Sequence, residues 1–243
     1  MSPEQIVSER ARYERVAMVS IARWIDEPLP KIVCFSDTHF VPRETGWSDD
    51  APEDLVALLR TLGDHEPLSL GDLTESVGLR ASERRELFRS ARLADLWALL
   101  AERRARIVIG NHDVSARDAI FERFGRDRVL DGGCSLGGVS VRHGHERAPL
   151  ATELVRIVGP WVVPAYERGR KLARRGAERL SNDRVLAVAR AGASFVLFGH
   201  THSKGVDVRD PTRAWANPGC FLRSAQSFIV LEGEALALYR RAS

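Results

Sequence analysis

Short apolar runs alternate with longer amphipathic segments in the first half of the sequence, and this alternation constrains the fold more than any other feature. The apolar runs at residues 31–36, 67–70 and 106–109 have the length of buried strands and end at or next to Ser or Gly. Residues 52–62 and 82–104 carry apolar side chains at helical spacing. Strands that alternate with helices predict a sheet covered by helices.

The second half of the sequence is richer in predicted strands than the first. The two halves together predict an α/β (α+β) fold in which two mixed β-sheets pack face to face with helices outside. In this half we predict strands at residues 128–130, 134–143, 194–198, 206–209, 213–216, 226–231 and 235–240, and helices at 150–157 and 167–190.

A separate helix is predicted before residue 31, where the first predicted strand of the chain begins. Ser2 followed by Pro3 is a typical helix start, and residues 3–25 show apolar side chains at every third or fourth position. The sequence therefore predicts an N-terminal helical extension, residues 1–30, packed on a main domain, residues 31–243.

Composition restricts the classes of protein that fit this chain. Its 243 residues suffice for one large domain, and a net charge of only +3 does not require a nucleic-acid or membrane partner. Cys34, Cys134 and Cys220 are far apart and form no C-x-x-C pair, which favours a reducing compartment. No apolar run approaches the roughly 18–20 residues of a membrane span, and the first residues are too charged for a signal peptide. We therefore expect a cytoplasmic protein, with peripheral membrane contact left open.

Polar clusters follow five of the predicted strands. Six of the seven histidines lie in these clusters, beside Gly, Asp or Asn. Because open α/β sheets bind ligands at the carboxyl ends of their strands, we expect the clusters to meet at one site. The clusters are Asp37-Thr38-His39, Gly71-Asp72, Gly110-Asn111-His112-Asp113, His143-Gly144-His145 and Gly199-His200-Thr201-His202.

The residue types in these clusters indicate metal binding. Imidazole together with carboxylate suits borderline divalent ions such as Mn, Fe, Zn, Co or Ni, whereas an all-oxygen site for Ca or Mg would not use several histidines. Alternate residues of an extended chain point the same way. Asp37 and His39 can therefore hold one ion together, and so can His200 and His202.

In this order, the five clusters resemble those of the calcineurin-like metallophosphoesterase superfamily, over about residues 31–220. The resemblance implies a four-layer αββα sandwich. It also implies that a hydroxide held between two divalent ions, with Mn favoured, hydrolyses a phosphoester or pyrophosphate. By position, Asp37, His39 and His202 resemble ligands of the first ion, Asp72 the carboxylate that bridges both ions, and Asn111, His143 and His200 ligands of the second.

Two further residues carry catalytic roles by the same resemblance. His112 is not a ligand in the family pattern and would stabilise the transition state or protonate the leaving oxygen. Asp113 would hold the His112 ring in position. For His145 two alternatives stay open, a role close to the metals or substrate and simple exposure to solvent.

Residues 146–190 form a basic insertion between two of the clusters. They contain ten Lys or Arg and five Asp or Glu, so the insertion carries +5 and the rest of the chain −2. Its predicted helix and the apolar stretch at residues 160–164 resemble the lipid-binding cap of UDP-2,3-diacylglucosamine pyrophosphatases. Such a cap would lie at the site entrance and grip an anionic, acylated substrate. The alternative to a cap is a solvated basic helix. Elsewhere in the chain, Asn217-Pro218-Gly219 is more similar to small phosphodiesterases of the superfamily than to these pyrophosphatases.

Three functions compete at this point. The first is a phosphoesterase for a small, nucleotide-linked or lipid-linked substrate, with no stable nucleic-acid partner. The second is a nuclease, which should show a broad basic groove, whereas the excess positive charge here lies in one insertion. The third is a non-catalytic scaffold on the same fold. A scaffold should have lost ligands, whereas all seven ligand positions and His112 are present.

Overall fold

Two mixed β-sheets lie face to face in the computed structural model, which describes residues 13–45, 48–77, 79–144 and 194–242. In these ranges the strands are β1 (Tyr13–Ser20), β2 (Leu29–Phe35), β3 (Glu66–Ser69), β4 (Arg106–Val108), β5 (Val129–Leu130), β6 (Cys134–Leu136), β7 (Val139–Arg142), β8 (Phe195–Phe198), β9 (Gly205–Asp207), β10 (Ala214–Asn217), β11 (Phe221–Leu222), β12 (Ala225–Gly233) and β13 (Ala235–Arg241). The α-helices are α1 (Pro52–Thr61), α2 (Ala81–Glu86), α3 (Ala94–Glu102) and α4 (Arg117–Phe124), with short 3-10 turns at Ala22–Trp24, Leu87–Arg89, Ala91–Leu93 and Val114–Ala116.

The order of the strands brings the polar clusters together. The first sheet runs β1-β13-β12-β2-β3-β4-β5, with β11 paired to β12, and its strands β2 to β5 are parallel. The second sheet runs β6-β7-β8-β10-β9, and its strands β7, β8 and β10 are parallel. Parallel strands place their carboxyl ends at one edge of a sheet, and the polar clusters follow directly after these ends.

Strand β2 shows how the layers are held together. Ile32 and Cys34 belong to the apolar cluster between the two sheets, whereas Val33 and Phe35 belong to the cluster beneath the helices. Successive side chains of a strand point to opposite faces, so one continuous apolar run fills both layers. Each of these side chains is fully buried, which is worth about 1.5–3 kcal/mol for a large apolar side chain. The predicted α/β fold with two mixed sheets is confirmed.

Helices α1, α3 and α4 cover the outer face of the first sheet through Leu58, Trp97 and Phe124. None of the helices in the part of the chain that the structure describes has the length and apolarity needed to cross a membrane. The helices expected at 150–157 and 167–190, and with them the insertion 146–190, lie outside the described residues. The division of the chain at residue 30 also stays a prediction.

The helix predicted for residues 3–25 is wrong where the structure describes this region. Strand β1 pairs antiparallel with β13, and only Ala22–Trp24 form a helical turn, while the residues before Tyr13 lie outside the described ranges. The pairing shifts register between Arg15 and Ala17. Tyr13, before the shift, packs under the helices, whereas Ala17 packs between the sheets. The shift therefore hides the two-residue period of a strand in the sequence.

The long helix predicted for residues 82–104 is interrupted. Ser90 is extended, with φ −63° and ψ 124°, and its hydroxyl donates to the carbonyl of Pro42 at 2.5 Å. Just beyond it, Arg92 donates to both carboxylate oxygens of Asp50 at 2.7 and 2.8 Å. These contacts hold Ser90 and Arg92 against the loop after β2, and the extended backbone of Ser90 interrupts the helix there. A continuous apolar pattern therefore forms separate pieces.

The chain between β7 and β8 connects two parallel strands, and such a connection crosses from one edge of a sheet to the other. Gly144 lies just after β7, at the edge that carries the polar clusters, whereas Ser194 lies just before β8, at the opposite edge. Residues 146–190 belong to this connection but lie outside the described ranges, so the position of the cap at the site entrance stays a prediction.

Candidate metal centre

The predicted ligands meet at the carboxyl ends of β2, β3, β4, β7 and β8, where they form two neighbouring groups. Ligand atoms of Asp37, His39 and His202, the first ligand group, lie within 4.8 Å of one another, as do those of Asp72, His143 and His200, the second ligand group. The side-chain oxygen of Asn111 lies 3.2 Å from Nε2 of His143, so Asn111 joins the second ligand group. The structure thus brings together all seven residues predicted as ligands.

His143 shows why the second ligand group suits a cation. Its Nδ1 donates to the carbonyl of Leu70 at 2.7 Å, which fixes the ring and directs Nε2 into the group. Nε2 lies 3.2 Å from Oδ2 of Asp72 and 3.2 Å from Oδ1 of Asn111. Once Nε2 gives up its proton to solvent, it and the two oxygens offer three converging lone pairs, which a divalent ion between them would satisfy.

The side chains of the first ligand group also suit a cation. Oδ2 of Asp37 accepts hydrogen bonds from the Ser36 hydroxyl at 2.6 Å and from the backbone N–H of His200 at 2.9 Å. Oδ1 of Asp37 is buried and has no hydrogen-bond partner among the described residues, and Nε2 of His202 lies 3.3 Å away. A buried carboxylate oxygen without a partner is costly. Together with the nitrogen atoms of His39 and His202, it is well suited to bind an ion.

Asp72 connects the two groups electrostatically. Burial raises its pKa, but the imidazoles of His143 and His112 outweigh this effect and hold the pKa well below its usual value. The Asp72 charge also favours the protonated form of His39 in the first ligand group. Asp72 therefore stays ionised in the protein interior, which is the form needed by a carboxylate that bridges two ions.

Backbone strain is concentrated at the predicted ligands. Among the described residues, six other than glycine have a positive φ, and five of the six are predicted ligands. The left-handed conformation costs about 1–2 kcal/mol per residue, and such strain clusters at functional sites. The five are Asp37 (52°), His39 (49°), Asp72 (51°), His200 (70°) and His202 (57°).

Two glycines allow the ligands to approach one another. Gly71 has φ +100°, and a Cβ atom at this position would lie 2.3 Å from Nδ1 of His143. A Cβ atom on Gly110 would lie 2.2 Å from Oδ1 of Asp72. Both distances are far below van der Waals contact, so side chains at these positions would displace residues of the second ligand group.

Glu75, which the sequence analysis missed, holds two histidines at once. Its Oε2 accepts from Nδ1 of His39 at 2.9 Å, and its Oε1 accepts from Nδ1 of His112 at 2.7 Å. Burial raises the pKa of Glu75, but the two imidazoles outweigh this effect and lower the pKa to about 2. Glu75 lies three residues after Asp72, and a second acidic residue so close to the Gly71-Asp72 cluster was the available signal in the sequence.

Asp113 does not hold the His112 ring, so that prediction is wrong. One carboxylate oxygen of Asp113 accepts from the backbone N–H and the hydroxyl of Thr74 at 2.7 and 2.8 Å. The other accepts from the backbone N–H groups of Leu73 and Gly110 at 3.2 and 3.0 Å. Asp113 is fully buried and ties the loop after β3 to the loop after β4, so its role is structural. His145 lies outside the described residues.

Two mixed sheets with clustered His, Asp and Asn side chains at the ends of their parallel strands define an α/β protein with a candidate metal centre. The chain belongs to the calcineurin-like phosphoesterase superfamily, because the model of the calcineurin-like phosphoesterase superfamily domain matches residues 31–234. The resemblance noted in the sequence is thereby confirmed. A comparison with curated protein sequences gave no significant match.

Several solved structures are similar to this chain. A metallophosphoesterase from Sphaerobacter thermophilus shares 20% identity at a TM-score of 0.46, covering 87% of this chain and 88% of that one. Vps29 from Entamoeba histolytica complexed with Zn²⁺ shares 16% identity at a TM-score of 0.39, covering 86% and 91%. Vps29 from Chaetomium thermophilum shares 18% identity at a TM-score of 0.41, covering 86% and 85%.

Proposed function

We propose that this protein hydrolyses a phosphoester or pyrophosphate bond with two divalent metal ions held by the two ligand groups. The convergence of lone pairs in both groups, with the ionised Asp72 interacting with each, carries this proposal. When bound, such a pair of ions polarises a phosphoryl oxygen and provides a nucleophile near neutral pH.

His112 is the proton donor in this proposal. Burial lowers the pKa of its imidazole, but the carboxylates of Glu75 and Asp72 outweigh burial and raise the pKa to about 10. Glu75 occupies Nδ1, so the proton on Nε2 is the one that His112 can deliver to the leaving oxygen. The backbone N–H of His112 donates to Oδ1 of Asp72 at 2.8 Å, which fixes the backbone of His112 beside the second ligand group.

The donor set also limits the choice of ions. Nitrogen from imidazole and oxygen from Asp and Asn suit Mn, Fe, Zn, Co or Ni, and no cysteine among the described residues belongs to either ligand group. We favour Mn. The proposed substrate is a phosphate-containing compound, nucleotide-linked or lipid-linked, and we expect a cytoplasmic protein with no stable nucleic-acid partner and the capacity for peripheral membrane contact.

The pairing of His112 with Glu75 favours catalysis over a non-catalytic scaffold on this fold. A protein that uses the metal centre only for structure has no need of an oriented, protonated imidazole beside the ligands. In this chain the imidazole of His112 is oriented by the buried carboxylate of Glu75, which also accepts from the ring of His39. The nuclease alternative requires a broad basic groove, whereas the excess positive charge lies in residues 146–190, outside the described ranges, so this alternative stays a prediction.

A panel of phosphomonoesters, phosphodiesters and nucleoside-diphosphate lipids, each tested with Mn, Ni, Co, Fe, Zn and Mg, tests the proposal. We expect hydrolysis of at least one class with a borderline ion. Asp72→Asn should abolish most turnover and lower the binding affinity for both ions. Asp95→Asn is the matched control, because Asp95 is highly exposed and lies on α3 at 3.6 Å from Arg60, so it should behave as wild type. A metal-loaded protein that is inactive on the whole panel contradicts the proposal.

A further inference from the structure

Asn217 is the last residue of β10, which lies parallel to β7 and β8 in the second sheet. Both polar groups of its side chain, the amide nitrogen and the oxygen, form hydrogen bonds. It is fully buried. Its amide nitrogen donates to the carbonyl of Gly199 at 3.1 Å and to the hydroxyl of Thr201 at 2.9 Å. Its oxygen accepts from the backbone N–H of Gly219 at 2.7 Å, which forms the turn Asn217-Pro218-Gly219. One side chain thus links this turn to the loop after β8.

The loop that Asn217 holds is strained and short. His200 and His202 have φ values of 70° and 57°, and Thr201 between them donates its N–H to the carbonyl of Gly199 at 2.8 Å. Left-handed backbone at two positions so close together costs about 1–2 kcal/mol for each residue. Hydrogen bonds to Gly199 and to Thr201, one before each histidine, oppose relaxation of this conformation.

The same loop supplies a ligand to each of the two ligand groups. His200 lies in the group with Asp72 and His143, and His202 in the group with Asp37 and His39. We infer that Asn217 is a positioning residue that fixes His200 and His202 together and so sets the two ion sites jointly. This inference rests on the metal centre of the proposed function.

The chemistry requires an amide at this position. Aspartate has nearly the same shape and keeps an oxygen for the N–H of Gly219, so the turn can survive in Asn217→Asp. The atom that replaces the amide nitrogen is then an oxygen, which faces the carbonyl oxygen of Gly199 and repels it. Asn217→Asp therefore separates the hold on the ligand loop from the folding of the turn.

Binding of Mn²⁺ alone, without substrate, tests the inference. Two Mn²⁺ ions roughly 3.5–4 Å apart are exchange-coupled, and this coupling appears in the EPR spectrum. We expect wild type to bind two coupled ions. In Asn217→Asp the affinity for each Mn²⁺ ion should fall by about 10–100-fold, the usual cost of losing a residue that orients metal ligands. When the variant and wild type carry the same amount of bound Mn²⁺, the EPR signal of coupled ions should be weaker in the variant. His202→Ala, by contrast, should lower mainly the affinity for the ion at the first ligand group.

Thr201 provides a second pair of variants in case Asn217→Asp does not fold. Thr201→Val removes one of the two hydrogen bonds that the amide donates to the loop, and Thr201→Ser retains it. We expect Thr201→Val to bind both Mn²⁺ ions with several-fold lower affinity. Thr201→Ser should bind them with the affinity of wild type. If folded Asn217→Asp, or Thr201→Val in its place, binds two coupled ions as wild type does, or loses only one ion, the inference is overturned. Wild type that binds no Mn²⁺ overturns the proposed metal centre itself.

Discussion

Individual side chains at this site serve two neighbours each. Glu75 accepts from a predicted metal ligand, His39, and from the proposed acid, His112. Asp72 accepts from the backbone N–H of His112 and faces Nε2 of His143. Because each carboxylate is shared, replacing Glu75 or Asp72 should alter metal binding and chemistry together.

Replacement of His112 separates binding from chemistry. His112→Ala should retain the metal content of wild type and lower turnover by about 10²–10⁴-fold, the usual cost of losing a positioned proton donor. Elemental analysis and steady-state kinetics on the same preparation measure both effects. His39→Ala is the comparison, because it should lose metal as well as turnover. Loss of an ion from His112→Ala would show that His112 is itself a ligand.

Replacement of Glu75 tests the shared carboxylate. In Glu75→Gln, one oxygen becomes an NH₂ group, which cannot accept from the N–H of His39 or of His112. We expect kcat/KM or metal affinity to fall by about 10–100-fold. Glu86→Gln is the matched control, since the Glu86 side chain is 47% exposed and contacts only Arg43 in the described ion pairs. Wild-type metal binding and kinetics in Glu75→Gln would exclude a role for this carboxylate.

At the scale of elements, the sequence predicted what depends on local pattern and missed what depends on tertiary contact. Each parallel strand that precedes a ligand was found, because its apolar run ends in a glycine or polar cluster. The sequence predicts a helix where strand β1 lies, because the register shift between Arg15 and Ala17 hides the two-residue period of the strand. The helix predicted for residues 82–104 is broken by hydrogen bonds from Ser90 to Pro42 and from Arg92 to Asp50, which no local pattern contains. The role predicted for Asp113 depends on the family resemblance, and only the fold shows that its carboxylate binds Leu73, Thr74 and Gly110.

The turn after β3 offers a test of how closely the elements are packed at the site. Gly132→Ala and Gly71→Ala both place a side chain at a positive φ, +84° and +100°. Around Gly132 no atom lies within 4 Å of the added Cβ, whereas at Gly71 the Cβ would meet Nδ1 of His143 at 2.3 Å. We expect Gly132→Ala to lower the free energy of unfolding by about 1–2 kcal/mol. Gly71→Ala should lower it further and also weaken metal binding, as measured by urea unfolding and Mn²⁺ titration. Equal effects of the two variants would contradict the close packing around His143.

At the scale of the whole molecule, the metal centre joins the two sheets. The first sheet supplies Asp37, His39, Asp72 and Asn111 from β2, β3 and β4, and the second supplies His143, His200 and His202 from β7 and β8. The sheets are also connected by apolar packing through residues such as Cys34 and Leu197, and by hydrogen bonds such as that from His143 to the carbonyl of Leu70. Bound ions would therefore act as cross-links between layers, so occupancy should affect global unfolding and not only the local loops.

Thermal unfolding with and without metal checks this consequence. An ion that binds only the folded state stabilises it by about 2.7 kcal/mol at a free concentration one hundred times its Kd. For a chain of this size each kcal/mol shifts Tm by about 2–4 °C, so Mn²⁺ should raise Tm by about 5–11 °C relative to protein treated with a chelator. Asp72→Asn should show a much smaller shift, because it loses the carboxylate that interacts with both groups, and Asp95→Asn should show the full shift. Calorimetry measures all three proteins under the same conditions. An equal shift in Asp72→Asn and wild type would mean that the stabilising ions bind elsewhere and that the two sheets are not joined through this centre.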